Sequence, residues 1–190
     1  MEHDPEFTMI TSPSGLNVLH HRLYVGIPFT VEHDNACLNN QRESLAEAER
    51  THDWESYVFI HARPYRVDAL AEVLALCDDK PRVSSLAGLV WSDTEHPHQN
   101  EDLWHLIFEQ IDPREMMTAE ERQFLDNLTG EITIYRGGNE DGFSWTLSRN
   151  TAQWFANRFG KGEDVHERRV NASDIKVYLS GRNEEEVLIW

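Results

Sequence analysis

The chain is 190 residues long, 39% hydrophobic, and carries 34 acidic against 17 basic side chains for a net charge of −17. It is long enough to bury a core, and its charge argues against a nucleic-acid backbone or an anionic membrane surface as the main partner. No apolar run, Leu86 to Trp91 included, approaches the ~20 residues needed to span a bilayer, and the amino terminus lacks the basic-then-apolar order of a secretory signal. These features predict a soluble, cytoplasmic protein with no nucleic-acid and no membrane partner. The two cysteines, Cys37 and Cys77, stand outside any Cys-x-x-Cys or zinc-type spacing and read as buried reduced thiols.

In chain order, residues 1 to 8 form a polar, charge-rich leader before a second methionine, Met9, compatible with a vector remnant and set outside the fold reading. The stretch to residue 130 reads as mostly helical. Arg42 to Arg50 favours helix, and Val67, Leu70, Val73, Leu74 and Cys77 recur at helical spacing after the Pro64 breaker. Leu103, Trp104, Ile107, Phe108 and Ile111 form an amphipathic stripe that Pro113 stops. Thr118 and Glu121 make a capping-box pattern, and Phe124, Leu125 and Leu128 are expected to bury a face before Gly130 ends the helix.

Beyond Gly130 the texture turns to short alternating runs bounded by turn residues. Ile132 to Arg136, Phe143 to Leu147, Ile175 to Leu179 and Val187 to Trp190 read as strands, and Asn150 to Phe159 as a helix with Ala152, Phe155, Ala156 and Phe159 on one face. About sixty residues close a core poorly alone, so residues 9–130 are expected to pack on these strands in a single α+β domain spanning 1–190. Charge divides unevenly: residues 1–130 hold 24 acidic and 9 basic side chains, residues 131–190 hold 10 and 8.

Four features of the last third belong together: Tyr135-Arg136-Gly137-Gly138 at a strand end, Ser144-Trp145-Thr146 on the next strand, the helix near Asn150, and Arg182 to Glu186 leading into the final strand. Period two puts Ser144 and Thr146 on one face and Trp145 on the other; Glu184 and Glu186 share a face if the strand already begins there. A cation at a glycine-flanked strand end, a hydroxyl pair and two carboxylates suit a phosphate-bearing substrate whose reacting centre develops positive charge.

Taken in order, these residues resemble the mono-ADP-ribosyltransferases whose three motif positions are Arg, Ser and Glu. Tyr135-Arg136-Gly137 is similar to the family's aromatic-Arg-Gly strand end, Ser144-Trp145-Thr146 to its Ser-Thr-Ser strand, and Glu184-Glu185-Glu186 to its Glu-x-Glu motif. The stretches Gly142 to Phe159 and Arg182 to Ile189 are similar to bacterial and phage proteins with this core. The resemblance covers about a third of the chain and implies a split β-sheet core that binds NAD as co-substrate. It implies that Glu186 is the catalytic glutamate, that Arg136 holds NAD, that Ser144 both binds NAD and acts in catalysis by orienting the ribose and the glutamate, and that the Gly137 backbone meets the nicotinamide amide. Tyr135 and Thr146 fall at adjoining NAD-site positions. Glu184 matches the glutamate that receives a target guanidinium, making a protein arginine the expected acceptor. Trp145, where many members have Thr, departs from the pattern.

Each feature also has a plainer explanation. Arg136 alone would be a strand-end arginine paired with an acid, Ser144 and Thr146 exposed strand residues, and the glutamate run a solvated turn. The dense segment Asp93, Glu95, His96, His98 and His105 lacks a metal-type helical pair, and no metal is expected. Trp54, Trp91, Trp104, Trp154 and Trp190 read as core or helix-packing anchors. The rivals to a transferase are an NAD glycohydrolase using the same site and an acidic decoy or inhibitor that covers a basic partner surface.

Overall fold

The computed structural model describes residues 2–158, 162 and 164–190. Its chain divides at Asp78/Asp79 into two compact units. The division does not follow the change of texture near Gly130, because the helices of residues 80–127 belong with the later strands, while residues 2–78 close a small core of their own.

The first unit opens with three short strands, β1 (Thr8–Thr11), β2 (Asn17–His21) and β3 (Tyr24–Gly26), paired antiparallel in the order β1-β2-β3. The sequence reading of a mostly helical stretch does not place these strands. The strands left no alternating signal: every residue of β1 is exposed, and in β2 only Leu19 is buried. Helix α1 (Val31–Thr51) starts far ahead of Arg42 because the Thr30 hydroxyl accepts the His33 N–H and caps it. Helices α2 (Trp54–Ile60) and α3 (Arg66–Leu76) follow, and Leu19, Leu38, Val58, Leu70 and Val73 form the unit's core. The leader takes part in this unit: Arg42 donates to Asp4 at 2.7 Å and also to Glu6. Cys77 is buried as expected, whereas Cys37 is half-buried, with its Sγ 3.5 Å from His33 Nε2.

The second unit begins with α4 (Lys80–Asp93), α5 (Glu101–Phe108) and α6 (Ala119–Asn127). It continues through β4 (Glu131–Gly137), β5 (Ser144–Thr146), α7 (Arg149–Asn157), β6 (Val165–Asn171), β7 (Val177–Leu179) and β8 (Glu186–Leu188). The five strands form one sheet in the order β6-β4-β5-β8-β7, every neighbouring pair antiparallel. With most helices gathered ahead of the strands, α7 excepted, and antiparallel pairing throughout, the architecture is α+β. Among the described residues no helix is long and apolar enough to cross a membrane.

Aromatic packing ties the helices of this unit to its sheet. The Trp91 ring lies 4.9 Å from Trp104, 5.5 Å from Phe108 and 6.4 Å from Phe143, the residue just before β5. Each such pair adds about 0.5–1.5 kcal/mol beyond the apolar area it buries. The capping box forms, with the Thr118 hydroxyl accepting the Glu121 N–H and the Glu121 carboxylate accepting the Thr118 N–H. The expected apolar face of α6 does not close over, however. Leu125 and Leu128 are half-buried, and Phe124 stays 39% exposed while stacking at 4.1 Å on Tyr178. Instead Glu121 is the buried residue of α6, because its Oε1 accepts the Ser180 N–H at 2.6 Å and the Ser180 hydroxyl at 2.9 Å.

The expected helix of residues 150–159 is α7, with Ala152 and Ala156 buried; Phe159 lies outside the described residues. Strand β6 escaped the sequence reading because Glu167, Arg168 and Arg169 run through its middle, as charges do on edge strands. Trp190 is 37% exposed but stacks on Phe108 at 4.1 Å.

Candidate functional site

All seven residues singled out from the last third line one cavity of about 480 Å³ in the second unit. That volume falls within the roughly 300–1,000 Å³ typical of small-molecule sites. The sheet's pairing explains the opening. Strands β4 and β5 share a single registered pair, Tyr135 with Thr146, while β4 pairs with β6 along its whole length. The Gly138 N–H is given to Asp164 O on the β6 side. The alternation of an antiparallel ladder therefore turns the Gly137 N–H and C=O toward β5, where the ladder is open.

Arg136 occupies that opening. Its Nε donates to the Asn139 carbonyl at 2.6 Å and its Nη1 donates to the Ser144 carbonyl, so a side chain takes the place of a strand partner. Burial pushes the guanidinium below its ordinary value, and the carboxylates of Glu186, Glu101 and Asp141 work in the opposite direction. Arginine stays charged under such pressure. The cation is thus fixed, partly desolvated, and on the cavity wall. Gly142, at φ 116°, admits it: a Cβ there would sit 2.9 Å from Arg136 Nη2.

Glu186 sits opposite Thr146 at the start of β8 and is buried, with 8% exposure. Its Oε1 accepts the Ser144 hydroxyl proton and also the Trp91 indole N–H at 3.1 Å. A charge buried this far needs such donors. Trp145 projects to the other face in register with Val187 and is buried, its Nε1 donating to Gly142 O at 3.3 Å.

Glu184 reaches the cavity by a different route from the one expected. Strand β8 begins only at Glu186, so the period-two argument for a shared face does not apply. Glu184 instead follows the tight turn Gly181–Asn183, flanked by Asn183 at φ 55° and Glu185 at φ 46°. Left-handed backbone at a residue with a side chain costs about 1–2 kcal/mol, so the surroundings must impose it. They do: Thr146 Oγ1 donates to Glu184 O at 2.6 Å, and Leu147 N–H donates to Glu185 O at 3.0 Å. The Thr146 hydroxyl also accepts the Ser148 N–H at 3.0 Å, so it braces the glutamate loop and the start of α7 together.

Gly137 is glycine for a packing reason that sequence did not reveal. A Cβ there would lie 2.1 Å from Ala152 O and 2.5 Å from Ala156 N, inside the backbone of α7. Two tryptophans expected to be core or helix-packing anchors also belong to the site. Trp91 is core, 1% exposed, but its N–H belongs to the site. Trp154 is not core: it is 58% exposed on the cavity rim, with the Arg158 guanidinium 5.4 Å from its ring centroid. His96 and His98 also line the cavity. Among the described residues no group of three His, Cys, Asp or Glu side chains is arranged to hold a metal ion.

In comparisons with protein-family models, curated proteins and solved structures, the chain matches none.

Proposed function

We propose that the cavity of the second unit binds NAD and transfers its ADP-ribose to a protein side chain, an arginine, releasing nicotinamide. The observation that carries this reading is the hydroxyl-to-carboxylate contact of Ser144 with a buried Glu186, in a cavity whose wall also holds Arg136 and Glu184. The donor set fits the dinucleotide: a fixed guanidinium for its phosphates, a carboxylate for its ribose, and the flat rings of Tyr135, Phe155 and Trp154 around them. The open ladder between β4 and β5 agrees with the split β-sheet core that the resemblance implies, and turns the Gly137 amide where a carboxamide would be met.

In such a reaction the bond between ribose C1′ and the nicotinamide nitrogen breaks, its electron pair leaving with nicotinamide, and the sugar becomes oxocarbenium-like. A carboxylate beside that sugar is attracted to the transition state more strongly than to the ground state, which is what acceleration requires. Glu186 supplies the carboxylate and Ser144 fixes it. The acceptor guanidinium nitrogen then bonds to C1′, and Glu184 takes the proton it sheds. The acidic surface of residues 1–130 favours a basic acceptor protein.

The test is incubation of wild type and Glu186→Gln with labelled NAD and a bacterial lysate. A labelled protein band with wild type only, lost on treatment that cleaves ADP-ribosyl-arginine, is the expected result. Nicotinamide release without a band would reassign the protein as a glycohydrolase. No release and no NAD-linked rise in melting temperature would remove the enzyme reading and leave the decoy.

A further inference from the structure

We propose that Trp91 is a positioning residue for the cavity's buried acid: its indole N–H holds Oε1 of Glu186 and makes α4 a working part of the site. The inference deepens the reading above, because it concerns the same carboxylate. It rests on a hydrogen bond between residues 95 positions apart in sequence, contributed by a helix that carries none of the motifs.

Trp91 is 1% exposed, and its Nε1 lies 3.1 Å from Glu186 Oε1. An indole N–H is a donor only, so a buried one has a single use, and here that use is the carboxylate. Ser144 donates to the same oxygen. Two donors on one carboxylate oxygen set its rotation and favour the ionised form.

The ring itself cannot swing away. It is wedged edge-on against Trp104 at 4.9 Å and Phe143 at 6.4 Å and packs against Phe108 at 5.5 Å, and Phe143 joins this cluster to β5 beside Ser144. Helix α4 is itself anchored, since Gly88 lies so close to Met116 that a Cβ would sit 2.3 Å from its carbonyl oxygen. The chain that leaves α4 then contributes Thr94, Glu95, His96 and His98 to the cavity wall. The contrast with Trp104 is informative: its Nε1 is equally buried but has no hydrogen-bond partner among the described residues. That ring serves packing alone, whereas Trp91 combines packing with an aimed donor.

The test uses the full chain. Trp91→Phe keeps an aromatic ring in the cluster and deletes the donor. In ¹H–¹⁵N spectra of wild type, the Trp91 indole resonance should shift as the acid of the cavity titrates, and Glu186→Gln should abolish that shift. Among the described residues, the other charged or titratable groups that face the carboxylate or line its cavity include Arg136, Arg158, Glu184, Glu95, Glu101, Asp141, His96 and His98, and the Glu186→Gln comparison removes the one carboxylate that the indole N–H meets.

In nicotinamide release from NAD, Trp91→Phe should lower kcat about tenfold or more with KM nearly unchanged, and should move the acid limb of the kcat profile to higher pH. A merely structural ring would leave that limb in place. An indole resonance indifferent to Glu186→Gln would overturn the proposal, as would a Trp91→Phe variant with wild-type kcat and pH profile. If wild type releases no nicotinamide at all, the catalytic reading fails by itself, while the indole titration still decides whether Trp91 holds the carboxylate.

Discussion

Replacing Gly137 by alanine asks how tightly α7 is pressed onto the sheet at the edge of the cavity. The backbone of Gly137 is not in the left-handed region, so alanine is conformationally allowed there and only the contact matters. The added methyl would meet Ala152 O at 2.1 Å and Ala156 N at 2.5 Å, more than about 1 Å short of ordinary van der Waals separation. Both obstacles are helix backbone, which cannot swing aside as a side chain does, so α7 must lift. Overpacking of this kind costs about 1–3 kcal/mol, which for a unit of this size lowers the melting temperature by about 4–12 °C.

The same movement would carry Ala152, Phe155 and Trp154 away from the cavity and weaken the proposed binding of NAD. The assay is thermal unfolding together with hydrogen exchange of the α7 amides, with Gly181→Ala as control. A methyl on Gly181 would have no atom within 4 Å, and its φ is not positive, so this substitution should leave stability unchanged or slightly raised. Wild-type stability and wild-type α7 protection in Gly137→Ala would refute the packing argument.

Glu184→Gln should abolish transfer to arginine, by about a hundredfold or more, while nicotinamide release in water persists; loss of both activities together would place Glu184 in bond cleavage instead. Glu121 gives a pH dependence. Burial pushes its carboxyl up, but the N–H and hydroxyl of Ser180 and the N–H of Thr118 outweigh burial and hold it below its ordinary value of 4.5. Its stabilising contribution is therefore present above that value and is lost as pH falls through the lowered one. Glu121→Gln should be less stable than wild type at neutral pH, by about 1 kcal/mol or more, with a shallower loss of stability on acidification; denaturant midpoints measured from about pH 3 to 7 check this. A difference between the two proteins that does not change with pH would contradict it.

The sequence by itself determined a good deal of the second unit. The capping box at Thr118, the stripe from Leu103, the alternating runs at β4, β5 and β7 and the short apolar run at β8 are local patterns, and each marks its element without reference to a distant partner. Order and spacing were enough to nominate Arg136, Ser144, Glu184 and Glu186, and these residues do converge on one cavity. What sequence could not supply was anything that depends on which distant surfaces meet. Strands β1 to β3 bury little and so lack alternation, and β6 is charged because it lies at an edge.

The same limit applies within the site. Whether Gly137 is glycine for a ligand or for α7, and whether Glu184 rides a strand or a strained turn, depends on contacts that only the folded chain creates. Trp91 is the clearest case. As a large aromatic it reads as a core or helix-packing anchor, and it is buried, but a hydrogen-bond donor's direction is set by packing across 95 residues of chain, and only the tertiary structure points it at Glu186.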